Sequence, residues 1–124
     1  MYKVIKRDGK VTDFDIAKIT IAITQAFESV QRQYHPSVID MLALRVTSDF
    51  EPKIKEERIH VEDIQDSVED VLIQADYADV AKSYILYRKQ REKIRNMRST
   101  ILDYKDLVDS YVKATDWRVK DFFT

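Results

Sequence analysis

Residues 2–30 read YKVIKRDGKVTDFDIAKITIAITQAFESV. Residues 2–6 are typical of a short strand, and residues 11–12 begin a return strand. Between them, the pair Asp8-Gly9 is a strong signal for a hairpin turn, because glycine tolerates a positive φ. The only glycine of the sequence therefore falls where a tight turn needs one, and we predict an N-terminal β-hairpin.

Apolar residues at helical spacing predict a series of helices after the hairpin. Asp15 can cap the first helix, whose apolar positions continue to Val30. Pro36 suits the first turn of a second helix, and Pro52 ends that helix. A third amphipathic pattern covers residues 61–75, with carboxylates at its start, where they favour the helix dipole.

The C-terminal part of the chain has the longest uninterrupted helical pattern. From Ala78 onward neither glycine nor proline occurs, and apolar residues recur at helical spacing as far as Tyr111. This pattern predicts one very long helix, or two helices with a bend near residues 98–100. We therefore expect a domain over residues 1–95 and a helical connector, or C-terminal extension, over residues 96–124.

These elements together predict an α+β fold that is mainly α. Ile59 and His60 follow a polar stretch and predict a third short strand. The expected architecture is an N-terminal β-hairpin, or small three-stranded sheet, that caps a four-helix bundle and is followed by the helical C-terminal extension. Neither the sheet nor the bundle can bury its apolar face alone, so we expect the two to pack together.

The composition excludes several classes of protein. The 124 residues fit one domain, and the net charge of −1 does not indicate a general polyanion binder. Cysteine is absent, which excludes disulfides, thiolate zinc sites and thiol nucleophiles and fits the cytoplasm. No apolar run approaches the roughly 20 residues that span a bilayer, so we expect no membrane partner. The sequence also lacks a P-loop and a nucleophile elbow, so we expect no catalytic residues. His35 and His60 have no metal-ligand spacing, so we expect no metal ligands.

Two basic clusters are the candidates for ligand chemistry, and the first lies at the hairpin. Lys6 and Arg7 lead into the tight turn, and Lys18 lies near the start of the first helix. Phosphate groups are bound by lysine point charges, by the arginine fork and by free N–H groups at helix N-termini. From spacing alone, a solvated basic hairpin remains the alternative.

The second basic cluster lies on the last helix, between residues 88 and 98. Arg88, Arg91 and Arg95 lie at positions i, i+3 and i+7, hence on one helical face. This face could bind a triphosphate or a nucleic acid. It could equally be a solvated face whose charges pair with the acidic residues of the third helix, and we favour that interpretation for Arg95 and Arg98.

Four segments in the same order and at matching separations resemble the ATP-cone domain. They are VIKRDG at residues 4–9, FDIAKI at 14–19, IHVEDIQDSVE at 59–69 and VAKSYILYRKQR at 80–91. Members of this family are regulatory modules, found mainly in ribonucleotide reductases and in a related transcriptional repressor. The resemblance implies that this chain is no enzyme by itself and binds ATP or dATP, with Mg²⁺ accompanying the triphosphate.

The resemblance also implies roles for the charged residues. Lys6 and Arg7 would contact phosphates, and Lys18 would reach phosphate or ribose. Arg88 and Arg91, from the closing helix, are further candidate phosphate ligands.

Other residues would form the pocket for the base. Val4 and Ile19 would flank the base, while Phe14 and Asp15 lie where the family recognises adenine. The face of the third helix that completes the pocket carries Val61, Ile64 and Gln65.

The resemblance extends to the parent enzyme and its partners. Residues 111–120, YVKATDWRVK, look like the connector that leads into the catalytic barrel of anaerobic, glycyl-radical ribonucleoside-triphosphate reductases. The implied partners are an adenine nucleotide and a reductase catalytic domain. The implied regulation sets overall activity through nucleotide-dependent assembly into a homo-oligomer.

Two other hypotheses remain open at the level of sequence. The first is the cone of a nucleotide-dependent transcriptional repressor, but such repressors carry a cysteine-rich zinc ribbon, so we do not expect a nucleic-acid partner. The second is a helical interaction domain without a ligand. Thr12 agrees with this second hypothesis, since many members of the family carry an acid at that position.

Overall fold

The structure, a computed structural model, describes residues 2–100, with side chains described as far as residue 98. Strand β1 (Lys3–Ile5) pairs antiparallel with β2 (Val11–Asp13). In the turn between them, the carbonyl of Lys6 accepts a hydrogen bond from the amide of Gly9 at 2.9 Å. Gly9 has φ +86°, a conformation that disfavours side chains with a Cβ, so the predicted hairpin and the role of its glycine are confirmed.

The predicted third strand is also present. β3 (Arg58–His60) pairs parallel to β1, which gives the strand order β2-β1-β3. β1 is therefore the central strand, and its middle residue, Val4, is buried against the helices. The small sheet covers one end of the helical bundle, as the sequence predicts.

Four helices form the rest of the described chain. They are α1 (Ile16–Ser29), α2 (Pro36–Phe50), α3 (Val61–Gln74) and α4 (Ala78–Thr100), with a 3₁₀ turn at Glu51–Lys53 after α2. Asp15 caps α1, because its Oδ1 accepts a hydrogen bond from the amide of Ala17 at 3.0 Å. α1 and α3 each pack against both α2 and α4, so the helices form a four-membered bundle.

Two aromatic clusters close the ends of the core. At the end below the sheet, the ring of Phe50 lies 5.9 Å from that of Tyr2 and 5.7 Å from that of Phe14, between centroids. At the opposite end, Phe27 contacts Tyr34 and Tyr77 at 5.8 and 4.9 Å. Phe50 and Phe27 are fully buried, so both clusters belong to one continuous core.

The boundary expected at residue 95 lies inside a helix. α4 continues from Ala78 to Thr100 without a break. The division of the chain into residues 1–95 and 96–124 stays a prediction, and the expected helix to residue 111 lies outside the described residues. Within residues 2–100, no helix is long and apolar enough to cross a membrane. The cytoplasmic location likewise stays a prediction.

One buried polar group in α3 leads to a stability prediction. Ser67 is fully buried, and its hydroxyl has no hydrogen-bond partner among the residues that the structure describes. A buried hydroxyl without a partner is destabilising, and alanine is the better helix former. We expect Ser67→Ala to raise the free energy of unfolding by about 1 kcal/mol in urea denaturation.

The exposed Ser48 of α2 provides the matched control for this substitution. We expect Ser48→Ala to change the free energy of unfolding by less than about 0.5 kcal/mol. A clear destabilisation by Ser67→Ala would show that the hydroxyl is hydrogen-bonded in solution.

Candidate functional site

Two adjoining cavities lie where the sheet meets the helices. The smaller, about 350 Å³, is bounded by the hairpin, α1, α3 and α4. The larger, about 730 Å³, lies between the hairpin turn, the start of α3 and the C-terminal half of α4. Lys6 and Val61 line both cavities, so a ligand could occupy the two together.

The smaller cavity has largely apolar walls and a polar rim. Its apolar residues come from all the surrounding elements: Val4, Phe14, Ile19, Ile64, Val68 and Tyr84. Asp15, Lys18 and Gln65 contribute polar atoms at the rim. Such a cavity suits a flat, mostly apolar group with a few hydrogen-bonding atoms.

Local structure explains how these side chains come together. Val4 is the inward-facing residue of the central strand, and Ile19 lies one turn into α1, on its buried side. The ring of Phe14 is fixed in the connection between β2 and α1 by Tyr2, at 4.7 Å between centroids, and by Phe50. The aromatic cluster below the sheet therefore supports one wall of the smaller cavity.

Cations line the larger cavity from two directions. Lys6 and Arg7 enter it from the hairpin, and Arg88, Lys89 and Arg95 enter it from α4. Glu62, Glu69 and Glu92 also line it, so the basic residues outnumber the acidic ones. An anion is the complementary ligand for this balance of charge.

The start of α3 adds backbone donors to this cavity. His60 precedes α3 in an extended conformation and makes no side-chain capping hydrogen bond. His60 and Val61 both line the larger cavity. The first N–H groups of a helix have no partner within the helix, and they favour phosphate groups and other anions.

Arg7 connects the hairpin to α3. Its Nη2 donates to Oε1 of Gln65 at 2.5 Å, and its Nε lies 3.3 Å from Oε1 of Glu62. The side chain of Arg7 is only partly exposed, at 29%. The hairpin turn is therefore fixed to the start of α3 by one arginine.

Arg88 makes two ion pairs between α4 and α3. Its Nη1 lies 2.9 Å from Oδ1 of Asp66 and 2.8 Å from Oε1 of Glu69. From the sequence we favoured pairing with the acids of the third helix for Arg95 and Arg98, but these two ion pairs to α3 are made by Arg88, a candidate phosphate ligand.

The structure places most of the predicted site residues in one of the two cavities. Arg7 and Arg88 line the larger cavity only, and Arg91 lines neither. Nine of the predicted residues line the smaller cavity: Val4, Lys6, Phe14, Asp15, Lys18, Ile19, Val61, Ile64 and Gln65.

Several residues that line the cavities were not expected there from the sequence. Arg95 and Lys89 line the larger one, although we expected Arg95 on a solvated face. The sequence does contain an indication that Arg95 lies in the site, because it follows Arg88 by seven residues and therefore lies on the same helical face. Tyr84 and Tyr87 line the smaller cavity, and burial raises the pKa of both phenols, so both stay uncharged at neutral pH.

The sequence of the chain is similar to a family model and to segments of several known proteins. A family model described as an ATP cone domain matches residues 2–93. The chain is 42% identical, over 84% of its length, to a vitamin B12-dependent ribonucleoside-diphosphate reductase of Thermoplasma acidophilum. It is 41% identical, over 74% of its length, to a ribonucleoside-diphosphate reductase subunit alpha of Chlamydia pneumoniae. An anaerobic ribonucleoside-triphosphate reductase of Haemophilus influenzae is 33% identical over 81% of the chain.

The matched part is a small share of each relative. The alignments cover 14%, 9% and 14% of the three reductases, respectively. The relatives include three kinds of reductase, so the anaerobic subgroup expected from residues 111–120 stays a prediction.

Proposed function

Because the chain belongs to the ATP-cone family, we propose that it is a regulatory module that binds ATP or dATP in the two adjoining cavities. The observation that carries this proposal is the joining of an apolar cavity to a cation-lined one at Lys6. A nucleotide has the same division, with an apolar base at one end and a polyanion at the other. The module itself performs no catalysis in this proposal.

In this arrangement the base occupies the smaller cavity. Val4 and Ile19 flank the ring, while Phe14, Ile64 and Val61 complete the apolar walls. The amide of Gln65 and the atoms around Asp15 supply hydrogen bonds to the edge of adenine. Lys18 lies at the rim, where it can reach the ribose or the first phosphate.

The phosphates extend from Lys6 into the larger cavity. Lys6 and Arg7 bind them from the hairpin, the N-terminus of α3 binds them with backbone amides, and α4 binds them from the opposite side. Arg88 contributes to phosphate binding after its carboxylate partners, or water molecules, have rearranged around the anion. Arg91 contributes through its charge near the cavity.

Mg²⁺ enters this site together with the triphosphate. Within residues 2–98, no group of histidine, aspartate and glutamate side chains could hold a metal ion by itself. Mg²⁺ usually keeps several waters and is bound largely through phosphate oxygens, so it needs no protein cage here.

We further propose that the module controls a ribonucleotide reductase. The support is the similarity to segments of three kinds of reductase. In this proposal a catalytic domain of the reductase is the partner, and ATP and dATP set overall activity by changing self-association. The resemblance of residues 111–120 to a connector supports an anaerobic parent, and the absence of cysteine agrees with a cytoplasmic one.

Calorimetric titration of the chain with ATP, dATP and GTP, each with Mg²⁺, tests the binding proposal. We expect saturable binding of the adenine nucleotides with a Kd of about 1–100 µM, and GTP at least about tenfold weaker. Equal affinity for GTP would contradict base recognition in the smaller cavity. If all three nucleotides fail to bind at millimolar concentration, the ligand-free interaction domain becomes the better hypothesis.

Sedimentation velocity with and without nucleotide tests the assembly proposal separately. We expect ATP and dATP to give different sedimentation coefficients at the same protein concentration. Identical coefficients with both nucleotides and without nucleotide would rule out nucleotide-dependent self-association of this chain.

A further inference from the structure

The residues of α4 that line the two cavities extend from Tyr84 to Asn96. Tyr84 and Tyr87 line the smaller cavity, whereas Arg88, Lys89 and Arg95 are the cations of α4 that line the larger one, and Arg95 is the last of them along the helix. An α-helix rises about 1.5 Å per residue, so Arg95 lies about 16 Å beyond Tyr84 along the axis. Among the cations of α4 that line the larger cavity, Arg95 is therefore the most distant from the smaller cavity.

Most of the other arginines near the cavity already have partners. Arg7 contacts Glu62 and Gln65, and Arg88 contacts Asp66 and Glu69. Among the side chains that the structure describes, Arg95 has no carboxylate in ion-pair contact. Glu92 and Glu62 lie close enough to offset its charge only in part.

Arg95 is also surrounded by other cations. Partial burial and the charges of Arg7 and Arg91 lower the pKa of its guanidinium. The guanidinium stays protonated all the same, because arginine keeps its charge at any ordinary pH. A partly buried arginine near two further arginines is a place where an added anion is strongly favoured.

We propose that Arg95 binds the terminal phosphate of the nucleotide and makes the module select triphosphates over diphosphates. The inference rests on the proposed function and deepens it. Lys6 lies at the junction of the two cavities and binds the phosphates next to the ribose. Only the terminal phosphate of the nucleotide reaches Arg95. A diphosphate ends one phosphate earlier and leaves Arg95 without an anionic ligand.

The test compares ATP and ADP binding to the full chain and to three variants. In Arg95→Gln we expect the Kd for ATP to rise about tenfold or more, because a charge-assisted hydrogen bond to the terminal phosphate is lost. The Kd for ADP should change less than about twofold. Arg95→Lys keeps the charge and should recover part of the affinity for ATP. Calorimetry at constant ionic strength and with Mg²⁺ gives both constants.

Lys93→Gln is the matched control. Lys93 is exposed on the same helix, two residues away, and lines neither cavity, so its substitution removes the same charge outside the site. We expect it to leave both Kd values unchanged. Glutamine is a good helix former, and circular dichroism will check that α4 is retained in each variant.

The possible results separate the two proposals. If Arg95→Gln weakens ATP and ADP equally, or neither of them, the assignment of Arg95 is wrong while nucleotide binding stands. If Lys93→Gln reduces the preference for ATP as much as Arg95→Gln does, general electrostatics explains the effect and the assignment also fails. If the native chain binds neither nucleotide, both the proposed function and this inference are overturned.

Discussion

The double substitution Lys6→Ala/Arg7→Ala lowers the affinity for ATP about a hundredfold in our account, a loss of about 3 kcal/mol. Both side chains line the larger cavity, and each would lose a charge-assisted contact with phosphate. Calorimetric titration of the native chain and of the double variant measures this loss directly. A change of less than about threefold would place the phosphates elsewhere.

Two further variants show whether lost affinity reflects lost phosphate contacts. Lys53→Ala/Lys55→Ala removes the same charge from exposed positions that line neither cavity, so we expect an unchanged affinity for ATP.

Glu62→Gln removes the ion pair that holds Arg7 to α3 but keeps the arginine. Because exposed ion pairs contribute only about 0–1 kcal/mol, we expect this variant to bind ATP at least as well as the native chain. A large loss of affinity in Glu62→Gln would mean that hairpin docking, not phosphate contact, controls binding.

Phe50→Ala produces the largest expected loss of stability, about 3–5 kcal/mol. Phe50 is fully buried at the end of α2, and its ring contacts both Tyr2 and Phe14. The substitution leaves a cavity beneath the sheet and removes the support of Phe14, which lines the smaller cavity. The free energy of unfolding from guanidinium denaturation measures the first effect.

Leu44→Ala on the same helix is the control for this prediction. Leu44 is 63% exposed, so its truncation should change the free energy of unfolding by less than about 0.5 kcal/mol. If Phe50→Ala also costs less than about 1 kcal/mol, the sheet does not pack on the bundle through this aromatic cluster.

The predictable part of the fold follows from local chemistry. Gly9 sets the hairpin turn because its φ of +86° is easily adopted by a residue without a Cβ. Asp15 and Pro36 define helix starts for reasons contained within a few residues. The parallel pairing of β3 with β1 is different, since it joins strands more than fifty residues apart, and the sequence indicated only that a strand exists there.

The candidate site shows a similar limit. Spacing puts Arg88, Arg91 and Arg95 on one face of a helix, but it does not give the rotation of that helix relative to its neighbours. In the structure Arg88 pairs with α3, Arg91 lines neither cavity, and Arg95 lines the larger one. The acids that engage Arg88 lie 22 and 19 residues away, and only the packing of α3 on α4 selects them.

Titration of methyl-labelled protein with MgATP, followed by NMR, tests whether the nucleotide binds between the hairpin and the helices. Val4, Ile19 and Ile64 line the smaller cavity, whereas Leu44 and Ile73 are exposed on the outer faces of α2 and α3. We expect saturable shifts of the methyl signals of Val4, Ile19 and Ile64 and no change in those of Leu44 and Ile73. Shifts confined to Leu44 and Ile73, or no shifts at millimolar ATP, would contradict nucleotide binding between the hairpin and the helices.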